Sequence, residues 1–155
     1  MKNEASSKKT VRPVDSTPIY LTSRQICARS AKIAARMPVN YRHTTGSMLL
    51  TRSMELSMAI IRAYKETRDM ARKCELTSKI EFACDEVLIL LRIAHDNNVI
   101  TRQDFAEQVD DCASIIKQAT GWLRALRGEQ GTKRPEHTPR NDAGMACRQL
   151  GRNAQ

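Results

Sequence analysis

The chain has 155 residues, a single domain's worth, with 41% apolar side chains, 4% aromatic ones and a net charge of +9. With so few aromatics, Ala, Leu, Ile and Met must fill the interior, which favours packed helices over a sheet. No apolar run reaches the roughly 18 residues of a bilayer span. The opening "MKNEASSKKTVRPVDSTP" has lysines but no apolar segment behind them, so a cytoplasmic protein without membrane contact is expected.

Residues 1–16 and 128–155 are polar and without periodicity, and the second stretch is rich in Gly and Pro. Both are expected to be disordered tails around a folded part at 17–127. The first helix is expected from about Thr22 to Met37, capped by Thr22 or Ser23 and stopped by Pro38. Ile26, Ser30, Ile33 and Met37 share one face, extended by Cys27 and Ala34; Gln25, Arg29, Lys32 and Arg36 gather on a cationic flank. "RMPVNYRHTTG" (36–46) reads as the connector to the next helix, which Thr44 or Thr45 can cap.

From Ser47 to Val99 there is no Gly or Pro, and one helix of that length is out of scale with the chain. A break at "KETRDM" (65–70), with Asp69 as N-cap, divides it into helices of about 45–65 and 70–96. The later one has a core face of Leu76, Ile80, Ala83, Val87, Leu91 and Ala94. Phe82, Ile89 and Ile93 lie on the opposite side, where an isolated bundle is polar, so a second partner is expected there. The last helix opens on a Thr101–Asp104 capping pair. Its seam is expected as Phe105, Val109, Cys112, Ile116, Ala119, Leu123 and Leu126, ending at Gly128. Trp122 and Ile115 are placed at its margin. Gly121 falls mid-helix, where a close helix contact would be one reason to tolerate it.

Residues 20–65 carry eight basic side chains (Arg24, Arg29, Lys32, Arg36, Arg42, Arg52, Arg62, Lys65) against Glu55 alone, a balance of +7. Residues 66–100 sum to −2 and residues 101–127 to zero, so the positive field is expected around the first connector. Such a field suits phosphate polyanions or an acidic protein surface. Five cysteines (Cys27, Cys74, Cys84, Cys112, Cys147) without close pairs argue for thiols rather than disulfides or zinc. No HExxH, Walker loop or GxSxG is present, and the acids of the third helix lack the facing ExxH pair of a di-metal bundle. No enzyme activity, metal or cofactor is expected.

"TPIY" (17–20), "MPVNYRHTTG" (37–46), "LLRIAHD" (90–96) and "GWLRAL" (121–126) occur in this order. Together they resemble the accessory variability determinant proteins of diversity-generating retroelements, within the four-helix-bundle group that includes proteins of ribosomal-RNA intervening sequences. The family's Y-R-x-T-x-G pattern falls on Tyr41, Arg42, Thr44 and Gly46, its L-L-R-x-A-H-D arginine on Arg92, and its G-W-L on Gly121, Trp122 and Leu123. The chain departs from the pattern at Thr45 and at Ser47–Met48.

The resemblance implies an antiparallel up-and-down four-helix bundle, all-α, assembled as a homopentamer. It implies a non-catalytic partner of the element's reverse transcriptase, its template-repeat RNA and the cDNA, in mutagenic cDNA synthesis. The expected nucleic-acid contacts are Arg24, Arg29, Lys32, Arg36, Arg42, His43, Arg52 and Arg62; the expected partner or subunit interface is Phe82, Ile89, Arg92, Ile93 and Trp122. A competing reading is a protein-interaction bundle of the intervening-sequence type with no retroelement role.

Overall fold

The computed structural model describes residues 13–128. Four long helices, α1 (Pro18–Arg36), α3 (Ser47–Lys65), α4 (Met70–Asp96) and α5 (Arg102–Leu126), form the expected all-α bundle, with no strand among the described residues. A short α2 (Val39–Tyr41) and a π-helical turn (Arg42–Gly46) complete the element order. Of the expected N-terminal tail, Val14–Ser16 forms one 3-10 turn; residues 1–12, and the expected C-terminal tail beyond Gly128, lie outside the described residues.

Cross-helix contacts give the topology. Ser23 meets Ser57 and Ser30 meets Ser53, so α1 and α3 are antiparallel. Arg52 faces Glu86 across α3 and α4, the His95 ring stacks on Phe105 at 4.8 Å across α4 and α5, and Arg36 reaches Asp104 between α1 and α5. The bundle therefore closes in the order α1, α3, α4, α5, up-down-up-down. Ile26, Leu49, Leu56, Ile60, Ile80, Val87, Leu91 and Ile115 are completely buried between them. Each such side chain contributes about 1.5–3 kcal/mol, whereas exposed ion pairs contribute about 0–1. Apolar burial holds the helices together; the polar contacts select register.

Several boundaries differ from expectation. Helix α1 starts at Pro18, not Thr22: Thr17 is the extended N-cap residue, and Pro at the first position has the backbone angle a helix needs while its missing N–H is not required there. Ile19 thereby joins the buried face. The connector at 36–46 is largely helical, so neither Thr44 nor Thr45 caps a helix. Pro38 is extended and starts the chain's new direction, and the Thr44 hydroxyl donates back to the Asn40 carbonyl at 2.9 Å. Asp69 caps α4 as expected, its carboxylate accepting from the Arg72 N–H at 3.0 Å. Thr101 caps α5, accepting from the Asp104 N–H and donating to the Asp104 carboxylate. Gly128, with φ +70°, ends α5.

The seam of α5 is rotated from the expected one. Gln108, Cys112, Ile115 and Ala119 are its buried residues, and Val109, Ile116 and Leu123 are only half-buried. Ile115, expected at the margin, sits in the core. The rotated seam includes a polar residue the expected one did not, Gln108. Its amide donates to the Ser30 hydroxyl at 3.0 Å and to the Ile26 carbonyl at 3.4 Å, inside a small-residue seam of Ser23, Ser30 and Ser53.

Candidate nucleic-acid interface

The 37–46 motif is where sequence and resemblance met, and its side chains are tied into the bundle end. The Tyr41 hydroxyl and the Asn97 amide oxygen lie 3.5 Å apart, bringing the connector to the end of α4. The Arg42 guanidinium donates to the Met37 carbonyl at 3.2 Å. Gly46 is buried with helical φ −66°, so it serves no tight turn. A Cβ there would stand 3.2 Å from the Ala34 Cβ and 3.1 Å from the Met37 Sδ. Its missing side chain lets the π-helical turn approach α1 closely. Arg42 and His43 are both exposed residues.

The expected cationic flank of α1 faces carboxylates. Arg29 pairs with Asp111 and, at 3.6 Å, with Glu107; Arg36 pairs with Asp104 at 2.7 Å. On the antiparallel α5 these acids recur at steps of three and four, matching the spacing of the bases on α1. A groove of about 180 Å³ between the two helices is lined by Arg29, Lys32 and Arg36 together with Asp104 and Glu107. A phosphate entering it meets both signs, so the flank is better suited to aligning α5 than to binding a polyanion. Arg52 is likewise engaged, by Glu55 at 2.6 Å and Glu86 at 3.8 Å, contacts that raise its pKa.

Burial drives the Asp104 carboxyl upward, but hydrogen bonds from Thr101 and Arg36 outweigh it and hold the pKa below the ordinary value. For Asp111, burial wins over Arg29 and the pKa is raised, with Glu107 and Asp110 adding repulsion. The closeness of Arg29 alone would suggest a fully favourable pair. The loss of water around Asp111 is the larger effect, so its charge is tolerated rather than strongly stabilised.

Arg24, Lys32, Arg42 and Arg62 have no carboxylate partner among the described residues. The fold adds Arg72, which the linear count did not group with them. Antiparallel packing brings the end of α3, the start of α4 and the end of α5 to one end of the bundle. There Arg62, Lys65 and Arg72 line a groove of about 420 Å³ floored by Met58 and Leu76. Its one lining carboxylate, Glu66, accepts backbone N–H bonds from Asp69 and Arg68, which lower its pKa and hold it against the α3–α4 connection. Three cations thus surround a carboxylate that is already occupied.

The expected interface residues divide between two places. Phe82, Ile89 and Ile93 are 70%, 56% and 44% exposed and lie in one line along α4, opposite its core face. Arg92 is exposed beside that line. Trp122 lies elsewhere, half-buried at the cationic bundle end, with the Lys73 ammonium 5.6 Å above its ring and Tyr64 tilted against it at 6.4 Å.

Among the described residues no group of three His, Cys, Asp or Glu side chains is placed to hold a metal ion. Cys84 and Cys112 are buried core thiols; a hydrogen bond with Cys112 and burial push the Cys84 thiol far up, away from nucleophilic reactivity. No described helix is long and apolar enough to cross a membrane. No family model and no curated protein matches the chain.

Proposed function

We propose that this protein is a non-catalytic accessory factor that binds nucleic acid through phosphate contacts and works beside the reverse transcriptase of a diversity-generating retroelement. The ordered motifs at 17–20, 37–46, 90–96 and 121–126 support the assignment to that system and to its template-repeat RNA and cDNA. The observation that carries the binding itself is the groove of Arg62, Lys65 and Arg72 around an already engaged Glu66. Such a cluster neutralises phosphates without reading base sequence. Arg24 on α1 and Arg42 in the connector add two exposed cations without a carboxylate partner among the described residues. We further assign the line of Phe82, Ile89 and Ile93 to contact between copies, arranged as the homopentamer the resemblance implies.

Fluorescence anisotropy of a labelled single-stranded RNA across a salt series tests the binding. Affinity is expected to fall steeply with salt, and replacing Arg62, Lys65 and Arg72 together by Ala is expected to reduce the log–log slope by about two. Affinity indifferent to salt overturns the reading.

The exposed line on α4 favours a second reading, a protein-interaction bundle of the intervening-sequence type with no retroelement role. Neighbouring DNA separates the two: a reverse transcriptase gene with paired template and variable repeats supports the first, and its absence the second.

A further inference from the structure

Beside the cationic groove, across the α3–α4 connection, lies a cleft of about 480 Å³ whose lining includes Thr17 and Ile19 of the 17–20 motif and Trp122 of the 121–126 motif. Tyr64, Lys73 and Trp122 line it, with Thr17, Thr67 and Gln118 offering hydrogen-bonding groups. Its volume falls in the range of roughly 300–1,000 Å³ typical of small-ligand clefts. The two cavities adjoin through sequence neighbours: Glu66 and Arg72 line the groove, Thr67 and Lys73 the cleft.

We propose that the cleft takes one unpaired base of a bound single strand, stacked on Trp122, while the flanking phosphates lie in the Arg62–Lys65–Arg72 groove. The inference rests on the phosphate-binding reading above and specifies where a strand is held. An indole face beside a second aromatic ring suits a flat, polarizable guest, and every nucleobase has such a face. Thr67, and the oxygens of Thr17 and Gln118, whose donors go to the Val14 carbonyl and the Ser114 hydroxyl, can bond a base edge. Lys73 explains how the free and bound states exchange. Without a strand its ammonium rests on the indole. When a base takes that face, the long side chain swings to the adjoining phosphate and exchanges a cation–π contact for an ion pair. An apolar peptide side chain would use the ring but leave this cluster of cations without an anion.

Trp122 is the single tryptophan of the chain, so its emission reports on the cleft. The full chain is titrated with an oligouridylate of about ten nucleotides, within the site sizes of single-strand binders, and with an abasic phosphodiester chain of equal length and charge. Each is also labelled to follow binding by anisotropy. The oligouridylate is expected to quench Trp122 and to bind at least about fivefold more tightly than the abasic chain. Lys73→Ala, which removes no core side chain, is expected to lower oligouridylate affinity by a similar factor with helix content unchanged. If both probes bind equally and neither alters Trp122 emission, the base site is overturned while phosphate binding stands. If neither binds, both readings fall. Quenching by an acidic aromatic peptide but not by the oligouridylate also overturns the proposal and gives the cleft to a protein partner.

Discussion

At Gly121 a Cβ would meet nothing within 4 Å, whereas at Gly46 it would press on Ala34 and Met37. The close contact expected at Gly121 is therefore absent, and the close contact sits at Gly46 instead. Gly121→Ala is expected to stabilise the protein by about 1 kcal/mol, the helix-propensity difference without a packing cost. Gly46→Ala gains the same propensity but forces α1 and the π-helical turn apart, for a net loss of about 1 kcal/mol. Chemical denaturation of the two variants checks the opposite signs. Gln108 is a further residue whose role only burial reveals. Its Oε1 is buried without a hydrogen-bond partner among the described residues. Ser30 retains Ser53 as a partner at 2.7 Å if the amide is removed. Gln108→Leu is therefore expected to be neutral or to stabilise by about 1 kcal/mol; a loss of 2 kcal/mol or more would show that the amide is needed to order the α1–α3–α5 seam.

The element scale is governed by how α5 meets α1. Their charges alternate in complementary register, and Asp104 serves twice, in the cap of α5 and in the pair with Arg36. Because the folded pKa of Asp104 is lowered, its contribution is present above the unfolded value of about 3.9 and disappears as pH falls through the folded one. Asp111 has the opposite sign: its raised pKa favours the folded state at low pH and costs stability as pH rises through the folded value. Asp104→Asn is expected to lose about 1 kcal/mol at neutral pH, with the difference from wild type shrinking towards pH 3. Asp111→Asn is expected to lose less at neutral pH, since burial already penalises that charge. Thermal melts of both variants across this window test the pair.

For the whole molecule, the question is what covers Phe82, Ile89 and Ile93. If copies of the chain meet there, Phe82→Glu combined with Ile89→Glu lowers the mass measured by light scattering to that of one chain, with helix content unchanged. A wild-type chain that is already monomeric at the same concentration removes this face from the assembly account. Trp122 is not expected to respond in that experiment, because it lies at the bundle end with Lys73, not on the α4 line. Pairing the assembly variant with the groove variant separates subunit contact from strand binding, since the two surfaces share no residue.

Sequence by itself determined the elements with strong local causes. The all-α class follows from composition and periodicity, the α4 start from Asp69, the α5 start from Thr101 and its end from Gly128. The exposed line on α4 was also legible, because positions opposite a regular core face have only solvent or a partner to meet. The helical nature of 39–46 was not legible: Pro38 ends α1 as expected, with Met37 extended, but a new helical turn follows at once and Gly46 is helical against Ala34. Pairing of charges was hidden for a physical reason. Arg29 and Asp111 are 82 positions apart, and only the closing of α5 onto α1 makes them neighbours. The same closure turned the expected cationic flank into a seam between helices. The packing of α5 beside the α3–α4 hairpin brings Trp122 to Lys73 and Tyr64 at the end that also holds Arg62, Lys65 and Arg72. Arg62, Lys65, Arg72 and Lys73 fall in one short stretch across the α3–α4 connection, but Trp122 is far along the chain, so the candidate strand site is complete only once the bundle has formed.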